Sequence, residues 1–249
     1  MQNLLFLGIV GSLLLFSGCA TLDTSTLETA KTLNDRSVEA CAISTMNLNL
    51  NSAVNVEQNH SLDVDSHDDK NELSMAMVVG TKLNLKIIPG LDFCGRIYSS
   101  GSHEHWGTRL GIKKQLYHAG KSYLALMPSY SYLKGTQTEF FGNPGGGSEH
   151  YSYSFDAKGF DVQVLYTYEM SDTYDYTFAL QNSWHSYKEV YNGVHYGPYD
   201  IWQGGLTASI RKSVWGCYLQ PELGLDMVRD TDGVLKAYIP VSLGFGYRF

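Results

Sequence analysis

The sequence predicts an all-β chain, a ten-stranded antiparallel up-and-down transmembrane β-barrel. Three observations carry this. Charged residues are 17% of the 249, well below the roughly 25% of an ordinary soluble domain, while Tyr (18) and Gly (25) are abundant. Apolar and polar residues alternate with period two from residue 36 to the last residue. The segments joining these stretches are alternately short and long. The same composition excludes other classes. After residue 20 no apolar run approaches the ~20 residues of a membrane helix. Aromatic content is too high for disorder. A net charge of −7 does not suit a general nucleic-acid binder.

Residues 1–19 read as a signal peptide ending in a lipobox. The apolar run 4–16, LLFLGIVGSLLLF, fits a secretory core and is too short to span. It leads through Phe16-Ser17-Gly18 to Cys19, so Cys19 is the candidate lipidation site; cleavage after Ala20 is the alternative. Residues 20–35 are polar and read as a tether. The remaining cysteines, Cys41, Cys94 and Cys217, are widely spaced and odd in number, which argues against a disulfide framework.

The barrel is assigned to 36–249. Its final stretch is the clearest: Ala237, Ile239, Val241, Leu243, Phe245, Tyr247 and Phe249 share one parity, against Lys236, Tyr238, Pro240, Ser242, Gly244, Gly246 and Arg248. The pattern recurs at 73–87, 160–169, 176–185, 202–211 and 217–227, and more weakly at 36–50, 91–99, 105–116 and 123–133. Short connections are expected near 88–90, 118–121, 171–174 and 212–214, and long ones at 51–71, 99–104, 134–150 and 188–200. The apolar face runs the full strand length, which suits an inverted barrel, apolar outside and polar inside. Trp106, Trp184, Trp202 and Trp215 fall on the apolar parity near strand ends, as an interfacial girdle requires. Pro128, Pro221 and Pro240 fall inside strands and are expected at bulges. The parity slip between Phe155 and Phe160 predicts a further bulge at Gly159.

The last strand, ending Gly244-Phe245-Gly246-Tyr247-Arg248-Phe249, resembles the C-terminal signal of bacterial outer-membrane β-barrels. The resemblance implies assembly by that family's insertion machinery, with Tyr247 and Phe249 as the signal. It further implies a bacterial outer-membrane location, both termini periplasmic, outer-membrane lipid as surroundings and a monomer. With Cys19 and the Thr-rich tether, the chain looks like small outer-membrane lipoproteins with a barrel.

Candidate chemistry is sparse. His60, His67, His103 and His105 lie among acids in expected outer loops and are candidate metal ligands, although His103-Glu104-His105 lacks the helical metal spacing. Asp230-Thr231-Asp232-Gly233 reads as a turn rather than a calcium loop. Ser183 and His185 share an inward face and form a candidate nucleophile and base. Lys82, Lys86, Arg96, Arg109, Lys113, Arg211, Lys236 and Arg248 face inward beside Glu39, Asp92, Asp161, Glu169, Glu222 and Asp226, and buried charges must pair. No cofactor is expected. The expected function is non-enzymatic, through surface loops or as a narrow, largely plugged pore. The alternatives are a barrel enzyme, a protease or lipid-modifying hydrolase, at the outer rim, and a soluble periplasmic lipocalin-like barrel.

Overall fold

In a computed structural model of the protein, the described residues are 25–33, 36–48, 75–100, 105–142, 148–229 and 233–249. Eleven strand segments follow one another: β1 (Val38–Leu48), β2 (Met75–Ile88), β3 (Leu91–Ser100), β4 (His105–Ala119), β5 (Ser122–Gly142), β6 (Ser148–Ser171), β7 (Tyr174–Tyr191), β8 (Val194–Val214), β9 (Cys217–Arg229), β10 (Leu235–Tyr238) and β11 (Val241–Arg248). From β1 to β9 each pairs antiparallel with its chain neighbour, and β11 closes on β1 through eight paired positions from Glu39↔Arg248 to Met46↔Val241. β10 and β11 both lie along β9 in one register and are the two halves of the tenth barrel strand.

The prolines explain the interruption. Bulges are not found at any of the three. Pro240 splits the tenth strand, yet Tyr238↔Asp226 and Val241↔Leu223 keep the same register on either side. At Pro128 the β4–β5 ladder skips from Gly111↔Ser129 to Lys114↔Leu126, and at Pro221 the β8–β9 ladder skips from Ser209↔Glu222 to Lys212↔Leu219. A proline lacks the N–H of one rung. The wall loses that bond on one side and keeps its register. True register shifts lie near strand ends, at 86/88, 115/117, 169/171 and 187/189.

The predicted facing holds. Leu243, Phe245, Leu223, Leu225, Phe178, Leu180 and Phe160 are exposed on the outer wall, while Ser242, Glu222, Asp226, Thr177, Gln181 and Asp161 are buried inside. A continuous apolar exterior of this kind far exceeds the patches a soluble monomer exposes, and it is the reverse of a lipocalin-like barrel. Tight turns at Pro89-Gly90, Gly120-Lys121, Asp172-Thr173 and Trp215-Gly216 define one end of the barrel. At the last, Trp215 and Gly216 both take positive φ (53° and 87°), the backbone of a two-residue hairpin turn, and the Trp ring is 94% exposed at the barrel edge. Trp184 and Trp202 are cross-strand partners on the outer wall, and Trp106 is also exposed there.

Three expectations about connections are corrected. Residues 212–214 are the end of β8, and the short turn falls at Trp215-Gly216 instead. Residues 134–142 and 148–150 belong to β5 and β6, and 188–200 belongs to β7 and β8 around an Asn192-Gly193 turn. About ten residues of a tilted strand cross the apolar band. The 21 residues of β5 and 24 of β6 therefore project well past it. The chain stays paired there because the backbone ladder does not depend on lipid: β5 bonds to β6 and β7 to β8 out to their tips. The bulge expected at Gly159 is also absent. The β5–β6 register runs unbroken from Ser122↔Tyr168 to Gly142↔Ser148. Phe155 points inward and is buried, because the upper half of the interior is apolar: Val78, Tyr98, Leu133, Phe155, Ala157, Tyr187, Ile201, Val228 and Tyr238 form one cluster. Inward rings lie flat over glycines of the next strand. Phe155 would stand 2.6 Å from a Cβ at Gly135, and Tyr98 covers Gly107.

Candidate functional site

The lower half of the lumen, nearest the tight turns, is filled by the chain itself. Residues 25–33, part of the stretch read as a polar tether, lie inside the barrel without regular secondary structure, and Ser25–Ala30 are all buried. Their contacts order the segment along the barrel axis. Leu33 N–H donates to Asp92, next to the 89–90 turn, at 3.1 and 3.2 Å. Lys31 lies at the same rim, 3.1 Å from Asp175 and 3.4 Å from Glu169. Ala30 N–H donates to Thr167 Oγ1 at 2.8 Å. Glu28, Leu27, Thr26 and Ser25 follow toward the middle. Ser25 O accepts from Arg96 at 2.9 Å and from Arg109 at 3.2 Å. Read from residue 33 to 25, the segment climbs from the tight-turn end to mid-lumen.

Each buried charge of this region meets an opposite one or a main-chain group. The Glu28 carboxylate is 3.2 Å from both Lys82 and Lys113 and accepts from Asn84 at 3.0 Å. Lys82 also reaches Glu39 at 3.3 Å, and Lys113 reaches Asp92 at 3.4 Å. Glu39 takes Arg211 at 2.9 Å and Arg248 at 2.6 Å. Glu222 accepts the N–H of Thr26 and of Leu27, each at 2.8 Å, and the Thr26 hydroxyl. The Leu27 side chain enters a pocket of Cys41, Ile43 and Tyr218, and would stand 3.5 Å from a Cβ at Gly244. Leu27 has φ of +39°, in the left-handed region that costs a non-glycine residue about 1–3 kcal/mol. The contacts on both its peptide groups hold it there. The space left among these groups amounts to about 10 Å³, lined by Glu28, Lys82, Arg96 and Arg109 among others, which is room for about one water.

The sequence expectation of an inward, paired set of charges is met by Lys82, Arg96, Arg109, Lys113, Arg211, Glu39, Asp92, Asp161, Glu222 and Asp226, all buried. The partners are not those that strand order suggests. Arg211 pairs with Glu39 and Gln220, whereas Asp226 accepts from Gln181, Gln203 and Tyr238. The residue that the sequence reading missed is Glu28, the anion at the centre. Its signal was compositional: inward glycines at 111, 205 and 244 left room in a lumen crowded with cations.

The candidate enzymatic pair faces inward, as the alternation predicts. Ser183 and His185 are both buried on the inner wall of β7. Asp161 lies 3.6 Å from His185 Nε2 and 3.5 Å from Arg109 Nε, and it accepts the Ser131 hydroxyl. At 3.6 Å the carboxylate is beyond hydrogen-bond reach of the imidazole, and His185, Asp161 and Ser131 are closed from solvent in this arrangement. Of the candidate metal ligands, His60, His67 and His103 lie outside the described residues, as does Cys19. His105 is buried in the lumen, edge-on to Phe155 with ring centres 5.0 Å apart. Among the described residues no three His, Cys, Asp or Glu converge on a metal position. Tyr247 and Phe249 close the wall at the tight-turn end, their rings 4.8 Å apart, with Phe249 N–H bonded to Val38 O at 2.9 Å.

No family model matches the chain, and no curated protein matches it. Solved structures similar to it include the outer-membrane protease OmpT of Escherichia coli (10% identity over 90% of this chain and 100% of that one, TM-score 0.45). Neisserial surface protein A is 10% identical over 85% and 96%, with a TM-score of 0.38. The translocator domain of the autotransporter NalP from Neisseria meningitidis is 10% identical over 87% and 90%, with a TM-score of 0.45. On its own geometry, ten antiparallel strands closed on themselves with apolar side chains outward, the chain has the architecture of the bacterial outer-membrane β-barrels.

Proposed function

We propose that this protein is a bacterial outer-membrane barrel without enzymatic activity, whose narrow conduit is closed by its own residues 25–33. The single observation that carries this is the Glu28 carboxylate, buried between Lys82 and Lys113 and held there by a segment bonded to the wall along its length. A rigid filler would need no such charge matching. A segment joined to the wall by ion pairs and hydrogen bonds, outside the ladder, leaves without breaking a strand. In this reading the tight-turn end faces the periplasm and the long hairpins face outward, as in outer-membrane barrels generally. Tyr247 and Phe249 serve as the assembly signal, and Phe249→Ser lowers membrane insertion while secretion continues. The barrel acts as a monomer in outer-membrane lipid. Planar-bilayer recording tests the closure: the intact protein gives no stable single-channel steps, and deletion of residues 25–33 gives steady ones. Steady channels from the intact protein, or a closed deletion variant, would refute it.

A further inference from the structure

The barrel reads much of residues 25–33 through their main chain. Arg96 donates to the carbonyls of Ser25 and Thr26 at 2.9 and 2.8 Å, and Lys82 donates to the Leu27 carbonyl at 2.5 Å. Glu222 accepts from the N–H groups of Thr26 and Leu27, Thr167 from that of Ala30, and Asp92 from that of Leu33. These contacts exist for any residue with an N–H and a carbonyl. The wall also recognises side chains: the Ser25 hydroxyl accepts from Arg96 at 2.7 Å, the Thr26 hydroxyl donates to Glu222, Leu27 enters the apolar pocket of Cys41, Ile43 and Tyr218, and Glu28 meets the Lys82–Lys113 pair. The arrangement also has a direction. Anionic Glu222 faces N–H groups and cationic Arg96 and Lys82 face carbonyls, so a chain running the other way would bring like against like.

We propose that the lumen is a binding tunnel for an extended peptide and that residues 25–33 are its resident occupant. The tunnel takes, from another chain, an extended Ser/Thr-rich segment with an apolar residue followed directly by an acid, its N-terminal end directed toward mid-lumen. This rests on the reading of residues 25–33 as a displaceable plug. The buried wall charges support it. With the segment gone, Arg96 and Glu222 lose the main-chain partners they hold here, and a peptide of the same pattern restores them.

The test uses the full chain with Leu27→Ala and Glu28→Ala, which weaken the resident segment at two of its side-chain contacts. The isosteric Glu28→Gln variant replaces it if assembly fails. The probe is a synthetic peptide of residues 25–33, STLETAKTL, added to the tight-turn compartment of a planar bilayer. The peptide is expected to block the raised current saturably, at a concentration at least about tenfold lower than the reversed-order peptide or one lacking the Leu-Glu pair. A conducting variant that the peptide does not block, or that the reversed peptide blocks equally, overturns the tunnel and leaves the plug standing. A variant that does not conduct counts against the plug instead. Fluorescence anisotropy with labelled STLETAKTL then decides the tunnel separately: saturable, direction-dependent binding supports it, and no binding overturns it.

Discussion

Replacing Glu28 with Ala removes the one acid that the segment 25–33 places between two lumen lysines, 3.2 Å from each. Orphaning a fully buried charge costs about 3–5 kcal/mol. Neither lysine is orphaned here, since Lys82 keeps Glu39 at 3.3 Å and Lys113 keeps Asp92 at 3.4 Å. The bond from Asn84 is also lost. The net effect on the seated segment is therefore larger than one neutral hydrogen bond and smaller than the orphaned-charge limit, about 2 kcal/mol. At 1.4 kcal/mol per factor of ten, the unseated population rises about thirty-fold. Hydrogen exchange followed by mass spectrometry reads this at the amides of Thr26, Leu27 and Ala30, whose N–H groups are bonded to the wall. Their exchange is expected to accelerate about thirty-fold while the strand amides keep their protection. Lys31→Ala is the control: it removes a partly buried rim contact with Asp175 and Glu169 at the open end of the lumen, worth about 1 kcal/mol, so acceleration stays near fivefold. Unchanged exchange in Glu28→Ala, or acceleration spread equally over the strands, would refute the reasoning.

Two further substitutions test the wall. Leu243→Arg places a charge on the outer face of β11, where lipid charges it about 2–4 kcal/mol near mid-membrane; unfolding in vesicles is expected to show this loss relative to Leu243→Ala, and a difference under about 0.5 kcal/mol would contradict the facing. Gly246→Ala puts a Cβ 2.6 Å from the Ala40 carbonyl oxygen and against the Tyr218 ring at the β11–β1 seam. A clash with backbone cannot relax by a rotamer change, so a loss of about 1–3 kcal/mol is expected in the same assay, and a neutral result would contradict close packing at the seam.

The wall was legible in the sequence because lipid enforces it. Each residue on the odd parity of 237–249 meets hydrocarbon, so the alternation at Leu243, Phe245 and Tyr247 is strict, and strand number and facing follow. Beyond the apolar band that constraint ends. Phe155 changes parity because the upper interior is apolar, and the sequence offers no way to tell an inward aromatic there from an outward one displaced by a bulge. The extended hairpins of β5–β8 read as loops for the same reason: their Tyr, Ser and Gly residues resemble turn composition. The plug was illegible on other grounds. TLDTSTLETAKTLND has neither helical nor strand periodicity, and the placement of its residues 25–33 comes from Asp92, Thr167, Lys82 and Glu222, which lie 55–196 residues away in the chain. Pairing of the lumen charges was foreseeable as a necessity, but the identity of each partner depends on barrel stagger, which sets Arg211 against Glu39.

The central claim is that residues 25–33 occupy the lumen of an assembled barrel. Thr26 Oγ1 and Thr207 Oγ1 are 3.0 Å apart, on residues 181 positions distant in sequence. Thr26→Cys with Thr207→Cys, in a chain whose Cys41, Cys94 and Cys217 are replaced by Ala, brings two thiols to about that separation, close enough for a disulfide with little movement. Mild oxidation of the membrane-embedded protein is expected to link the two positions nearly completely, read as a peptide 26–207 cross-link by mass spectrometry. Free thiols at both positions after oxidation, with the barrel intact, would contradict it.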